Sequence, residues 1–278
     1  MSLTLGGSAN QRSLAYLSAT KSKMDKSLER IASGKKLLSA ADDPGGLAVA
    51  MKLRNQITTN DAELSAVENA KSYVESQSTA LQTTSSIVGE MRTLKSNWDI
   101  ADAAGDTDLK DSYQRQFEDL QGQLNSIKGE TLNGRKLFDR GASESPIMVS
   151  NVALNDLALN TALQAGGQDI TDSTSATPIT LSNVTDANLE AIEDDVSDLT
   201  AEAAGDASSL GFASDYLTNM STNLETAHGR IMDVDLAEET SNYATLSMQY
   251  EAAAAAVAQA NVSSAKVLDL LLSSINRD

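Results

Sequence analysis

The sequence predicts a mainly α fold: an elongated antiparallel bundle of long helices, or coiled coil, with a small β-rich insert in the middle of the chain. Three observations predict it. Only 4% of the 278 residues are aromatic, so the apolar content is mostly Ala, Leu, Ile and Val, of which Ala and Leu are strong helix formers. Just three prolines occur, Pro44, Pro146 and Pro178, which leaves very long stretches free of helix breakers. Apolar residues recur at alternating spacings of three and four, the pattern of a helix that needs a helical partner along its length.

The first helix carries Leu14, Leu17, Met24, Leu28 and Ile31 in that spacing, with Lys21 completing it. Gly34 ends it, because glycine tolerates the left-handed conformation found past a helix C-terminus. Asp42-Asp43-Pro44 starts the second helix, since Asp caps free N–H groups and Pro suits the first turn. Its seam runs Ala50, Leu53, Ile57, Asn60, Leu64, Val67, Lys71, Val74, Ser78, Leu81, Ser85 and Val88, unbroken until about Asp99. The stretch Ala101–Asp106 turns the chain, and a third helix follows with Leu109, Tyr113, Phe117, Leu120, Leu124 and Ile127 on one stripe.

Between about Gly129 and Thr185 the helical period fails. Asn133-Gly134 signals a tight hairpin, and Gly166-Gly167, Pro146, Pro178 and the run Ile147-Met148-Val149 suggest short strands and turns projecting from the rod. The period returns at Leu189, Ile192, Val196, Leu199, Ala203, Asp206, Leu210, Ala213, Leu217, Met220, Leu224, Ala227 and Ile231. Asp235 with Glu238 forms a capping-box-like start for a final helix bearing Tyr243, Leu246, Tyr250, Ala253, Val257, Ala260, Val267, Leu268 and Leu271. From Ala252 to Ala265 that helix has no charged residue. A solvent-exposed helix normally carries charge on its outer face, so this one should be contacted on several sides.

The formal net charge of −18, with no basic run, argues against nucleic acid and against anionic membrane surfaces. Absence of Cys excludes disulfides and thiolate metal sites. The opening residues resemble no secretory signal, and no apolar run could span a bilayer, so a protein that leaves the cell would do so without a cleaved signal. No cofactor, metal or catalytic centre is expected. His228, the single histidine, has no partner for base or metal chemistry and reads as a helix-end surface residue. Asp42-Asp43 reads as capping, and Asp102, Asp106, Asp108 and Asp111 as a capping turn, since they lack the calcium-loop spacing. Asn183-Val184-Thr185 fits a glycosylation acceptor only formally, and O-linked sugars on the Ser/Thr-rich middle are a further option. Asn60 and Lys71 set register or reach to solvent.

The stretch Leu28-Glu29-Arg30-Ile31-Ala32-Ser33-Gly34-Lys35-Lys36-Leu37-Leu38-Ser39-Ala40-Ala41-Asp42-Asp43-Pro44-Gly45-Gly46 resembles the amino-terminal signature of bacterial flagellins. Thr131–Phe138 resembles the family's first hairpin, and Gly229–Thr240, Ala258-Gln259-Ala260-Asn261 and Val267-Leu268-Asp269-Leu270-Leu271 resemble its carboxy-terminal part. The resemblance implies a non-enzymatic subunit of the flagellar filament, extracellular and exported without signal cleavage. Residues 1–40 and 236–278 would form a terminal-helix polymerisation domain that orders on assembly. Residues 41–138 and 187–235, with a β-hairpin near 130–152, would form a helical rod, and 139–186 a short surface-exposed insert. The polymerisation interface would include Leu14, Leu17, Met24, Leu28, Ile31, Tyr243, Leu246, Tyr250, Val257, Ala260, Val267 and Leu271.

Implied partners are further copies of the chain, an export chaperone, the filament cap and hook-associated proteins. In members recognised by the vertebrate innate receptor an additional Arg stands where this chain has Glu90, while Arg92 and Leu94 match and Asp119 replaces a Glu. The charge reversal at Glu90 implies weakened recognition. Three departures stand out: Leu5-Gly6-Gly7 where the family opens Ile-Asn-Thr-Asn, a tail continuing through Leu272–Asp278, and a short insert. The nearest alternative is a hook–filament junction protein, disfavoured by the Ala-Gln-Ala-Asn and Val-Leu-Asp-Leu-Leu ending. A monomeric adhesin or helical enzyme lacks support from any nucleophile–base pair.

Overall fold

The computed structural model describes residues 4–139, 148–150, 152–172 and 178–275, with the backbone alone at 4–10, 264 and 267–275. The helices are α1 (Thr4–Ser33), α2 (Pro44–Ala104), α3 (Thr107–Lys128), the short α4 (Leu159–Ala162), α5 (Asp186–Met232) and α6 (Leu236–Ile275). Between α3 and α5 lie three two-stranded antiparallel hairpins: β1 (Thr131–Leu132) with β2 (Arg135–Lys136), β3 (Met148–Val149) with β4 (Val152–Ala153), and β5 (Gln164–Ala165) with β6 (Gln168–Asp169). The fold is mainly α, with long helices packing together and a small strand-containing middle. Among the described residues no helix is long and apolar enough to cross a membrane.

Helix ends follow local chemistry. Gly34 closes α1 with φ of +69°. Asp43 caps α2, its Oδ1 accepting from the Gly46 amide at 2.9 Å. Asp42 instead ties the connector: its Oδ2 accepts from the amides of Leu38 and Ser39, and its Oδ1 takes a 3.1 Å ion pair from Lys26. The expected turn at Ala101–Asp106 contracts to Gly105-Asp106, because Ala101, Ala103 and Ala104 continue α2 and only Gly105, at φ +75°, breaks it. Asp106 then caps α3 through Leu109, and Asp235 caps α6 through Ala237 and Glu238. At the β1–β2 turn Asn133 and Gly134 both have positive φ, as a two-residue hairpin of this hand requires.

The chain divides into two compact units, residues 58–221 and residues 1–57 with 222–278. The first has one continuous apolar core. α2 contributes Val67, Ala70, Val74, Leu81, Val88 and Met91, α3 contributes Phe117, Leu120 and Leu124, and α5 contributes Leu189, Ile192, Val196, Ala203, Leu210 and Leu217. On α2 the buried line passes through Ala70, Gln77 and Thr84 rather than the expected Lys71, Ser78 and Ser85. A helix turns 3.6 residues per cycle, so either neighbour fits a three-or-four spacing. The cation at Lys71 stays outside, and the buried polar groups find partners: Gln77 Nε2 donates to Leu137 O at 2.6 Å and Thr84 Oγ1 to Ala80 O at 2.9 Å. Asn60, also buried, donates from Nδ2 to Leu217 O at 2.9 Å and so fixes the register of α2 against α5.

The described part of 139–186, expected to project as a surface insert, is built into that core. Leu154, Leu157, Leu159, Leu163, Ile170, Ile179 and Leu181 are all buried in it. Side chains of the long helices fasten the segment. Gln121 Nε2 donates to the carbonyls of Ile170 and Ile179, and Asp206 accepts from Asn155 N at 2.8 Å and Nδ2 at 3.0 Å. Pro146 and Ile147, read as turn and strand residues, lie outside the described residues. At the α2–α3 end Trp98 sits beneath both Lys95 and Lys110, whose ammonium groups are 5.1 and 4.6 Å from the ring centre.

Charge is unevenly divided. Residues 58–221 hold 27 of the 39 acidic and 9 of the 21 basic side chains, so the entire −18 falls on that unit. The other unit balances 12 against 12.

Candidate functional site

The unit formed by residues 1–57 and 222–278 rests on the packing of α1 against α6. The link between α5 and α6 lies beside the end of α1, where Lys36 N donates to Met232 O and Val234 N to Gly34 O. From there the two helices run antiparallel. Ser27 Oγ reaches Glu239 O at 3.4 Å, and further along Arg12, Ser13 and Tyr16 share a surface depression with Ala253 and Ala256.

Both contacting faces keep a heptad spacing. On α6 they comprise Glu239, Tyr243, Leu246, Tyr250, Ala253, Val257 and Ala260, all buried or half-buried. On α1 they comprise Leu17, Thr20, Met24, Ser27 and Ile31. Here the structure differs from the sequence expectation: the seam passes through Thr20 and Ser27, and Leu14 and Leu28 stand exposed beside it. Thr20 is satisfied by the carbonyl of Tyr16 within its own helix, and small residues at these positions permit close approach. The recurrence of hydroxyls at Ser13, Thr20 and Ser27, seven apart, is the signal that reading by hydrophobicity alone passes over. The side chains of Val267 and Leu271 lie outside the described residues.

This pairing is incomplete as a monomer's core. Leu14, Tyr16, Leu28, Leu236, Met248 and Val262 are exposed large apolar residues of α1 and α6. Within the seam, Glu239 is buried and its Oε1 has no hydrogen-bond partner, a destabilising placement for a carboxylate.

The four residues matched to the receptor surface separate into two environments. Glu90, Leu94 and Asp119 line one open groove of about 380 Å³ between α2 and α3, with Thr93, Gln116 and Leu120. Arg92 points instead to the start of α5. Its Nε and Nη2 grip Asp186 at 2.8 and 3.2 Å, Nη2 also reaches Glu190 at 3.4 Å, and Nη1 reaches Glu193 at 3.3 Å. The hydrogen bond to Asp186 holds the guanidinium further above its already high range, and the same bond holds the Asp186 carboxyl below the usual carboxylate value.

Two capped, heptad-bearing helices that bury one face on each other and leave further apolar faces open define a self-assembling structural subunit. Comparison with known proteins gives that class its family. Residues 7–142 match the bacterial flagellin N-terminal helical region, and residues 184–271 match the bacterial flagellin C-terminal helical region. The chain belongs to the flagellin family, which is structural and not enzymatic, and is a subunit of the flagellar filament, outside the cell. It is 30% identical to a flagellin of Halalkalibacterium halodurans over 88% of this chain and 91% of that one. It is 25% identical to a flagellin of Bacillus subtilis, covering 93% and 96% of the two chains. It is also 26% identical to the flagellar filament 30.7 kDa core protein of Treponema maltophilum, covering 88% and 90%.

Proposed function

We propose that the chain polymerises by coupled folding and assembly of its terminal helices. The observation that carries this reading is the open apolar surface of α1 and α6 beside a seam in which the buried Glu239 Oε1 has no hydrogen-bond partner. Ordering a backbone residue costs about 1–2 kcal/mol, so two long helices with one shared face gain most of their stability when neighbouring copies cover the rest. In this reading residues 1–40 and 236–278 form the inner polymerisation layer. Residues 41–138 and 187–235 form the rod, and 139–186 lies on the outward side while lending its leucines to the rod's core.

The proposed contact set is Leu14, Leu17, Met24, Leu28, Ile31, Tyr243, Leu246, Tyr250, Val257, Ala260, Val267 and Leu271. Leu14 and Leu28 face the next copy, and the half-buried members set the α1–α6 register. Removing 236–278 abolishes filaments seen by negative-stain electron microscopy after a polymerisation-promoting salt is added. Filaments from that truncated chain would overturn the mechanism.

Family membership also supports export through the flagellar apparatus without cleavage, an export chaperone that holds α6, and placement beneath a filament cap beyond hook-associated proteins. Amino-terminal sequencing of the secreted protein checks the first. Receptor activation by the monomer is weak in this reading, because Glu90 reverses a charge and Arg92 is engaged by three carboxylates. Strong activation of reporter cells by purified monomer contradicts it.

A further inference from the structure

Of the three phenylalanines, Phe117 and Phe138 are fully buried, whereas Phe212 is 73% exposed. Tyr216, 64% exposed, and Met220 follow at intervals of four, so the three stand in a row along one face of α5. Asp215, also exposed, belongs to the same face. Such an aromatic row on a unit that carries the whole −18 calls for a covering surface that is apolar and cationic.

The chain itself contains one outside the terminal helix pair. No Asp or Glu occurs between Asp43 and Asp61, and within that interval Met51 is 61% exposed, next to the exposed Lys52. The other exposed apolar residues away from α1 and α6 do not qualify. Val49 lies across the buried Ala50 from Met51, Ile100 and Leu109 sit among Asp99, Asp102, Asp106 and Asp108, and Met148 carries no cationic neighbour among the described residues of its hairpin.

We propose that the Phe212–Tyr216–Met220 row of one copy docks against the exposed Met51–Lys52 surface of a second copy. The inference rests on the filament reading and adds a specific lateral contact to it, separate from the terminal helices. Met51 covers the rings and Lys52 meets Asp215. Because the two patches are different surfaces of the same chain, the contact is head-to-tail, and repeating it gives an open array instead of a closed dimer.

The absence of Cys makes the test direct. Met51→Cys and Tyr216→Cys full-length chains are mixed, polymerised and treated with a short bis-maleimide. A cross-linked dimer appears in the mixed filaments, and in neither the unpolymerised mixture nor filaments of a single variant. In parallel, Lys52→Glu and Asp215→Lys each raise the critical concentration for assembly about tenfold at low salt, and the two together restore it.

Normal filaments without the cross-link overturn the pairing. So do single charge variants that assemble like the parent, and a double variant that shows no recovery although its monomer circular dichroism matches the parent. If the parent chain forms no filaments, the assembly reading itself falls, and that outcome is visible before any variant is made.

Discussion

Single side chains show how partner choice escapes a linear reading. Arg92 stood in the sequence as a match to a receptor-facing position, yet it ties α2 to Asp186, Glu190 and Glu193 at the start of α5. Nothing in the spacing links residue 92 to residues 186–193; only the fold's register does. The pairing has a pH signature. Asp186 is held below the usual carboxylate range by its hydrogen bond from Arg92, and Asp42 by the one from Lys26. A carboxyl lowered on folding contributes stability above its unfolded value, near 4, and loses it as pH falls through the folded value. Asp139 runs oppositely: burial raises it, so its contribution is present at low pH and lost as pH rises through the folded value. Arg92→Ala should therefore flatten the acid limb of the stability curve below about pH 4, with a small, salt-screened effect at neutrality. Urea melts across that range check it, and superimposable acid limbs would count against the clasp.

Whole elements were legible where periodicity and capping agree. α1, α2, α3, α5 and α6 all follow from three-and-four spacing and from Gly34, Asp43, Asp106 and Asp235. Seam positions were less legible, because hydrophobicity favours Leu14 and Leu28 whereas packing chose Thr20 and Ser27. The middle segment was least legible. Leu154, Leu157, Leu159 and Leu163 keep no single period along the segment, since loop residues and the one-turn helix α4 deliver them to the core in turn. Leu157→Ala accordingly lowers stability by about 2–5 kcal/mol in chemical unfolding, the range for emptying a buried leucine site. A projecting loop would show almost no change, so the size of the effect decides between the two pictures.

Across the whole chain, net charge divides along one boundary, whereas exposed apolar side chains stand on both sides of it. Residues 58–221 carry the full net charge around a closed apolar core, and the other unit is electrically balanced and leaves apolar helix faces open. Like-charged units repel when copies are brought together, so raising the salt concentration should favour the proposed assembly by screening residues 58–221.

Trp98, held under Lys95 and Lys110, turns this division into something that can be watched. It is the one tryptophan of the chain and belongs to residues 58–221, so its fluorescence is an observer confined to a single unit. Circular dichroism sees every helix, whereas this indole sees only its own neighbourhood. Heating the monomer should therefore give an ellipticity loss, from α1 and α6, that precedes any change in emission. Removing 236–278 should erase that early phase and leave the emission midpoint where it was. Coincident transitions in the intact monomer would mean that the two units melt as one.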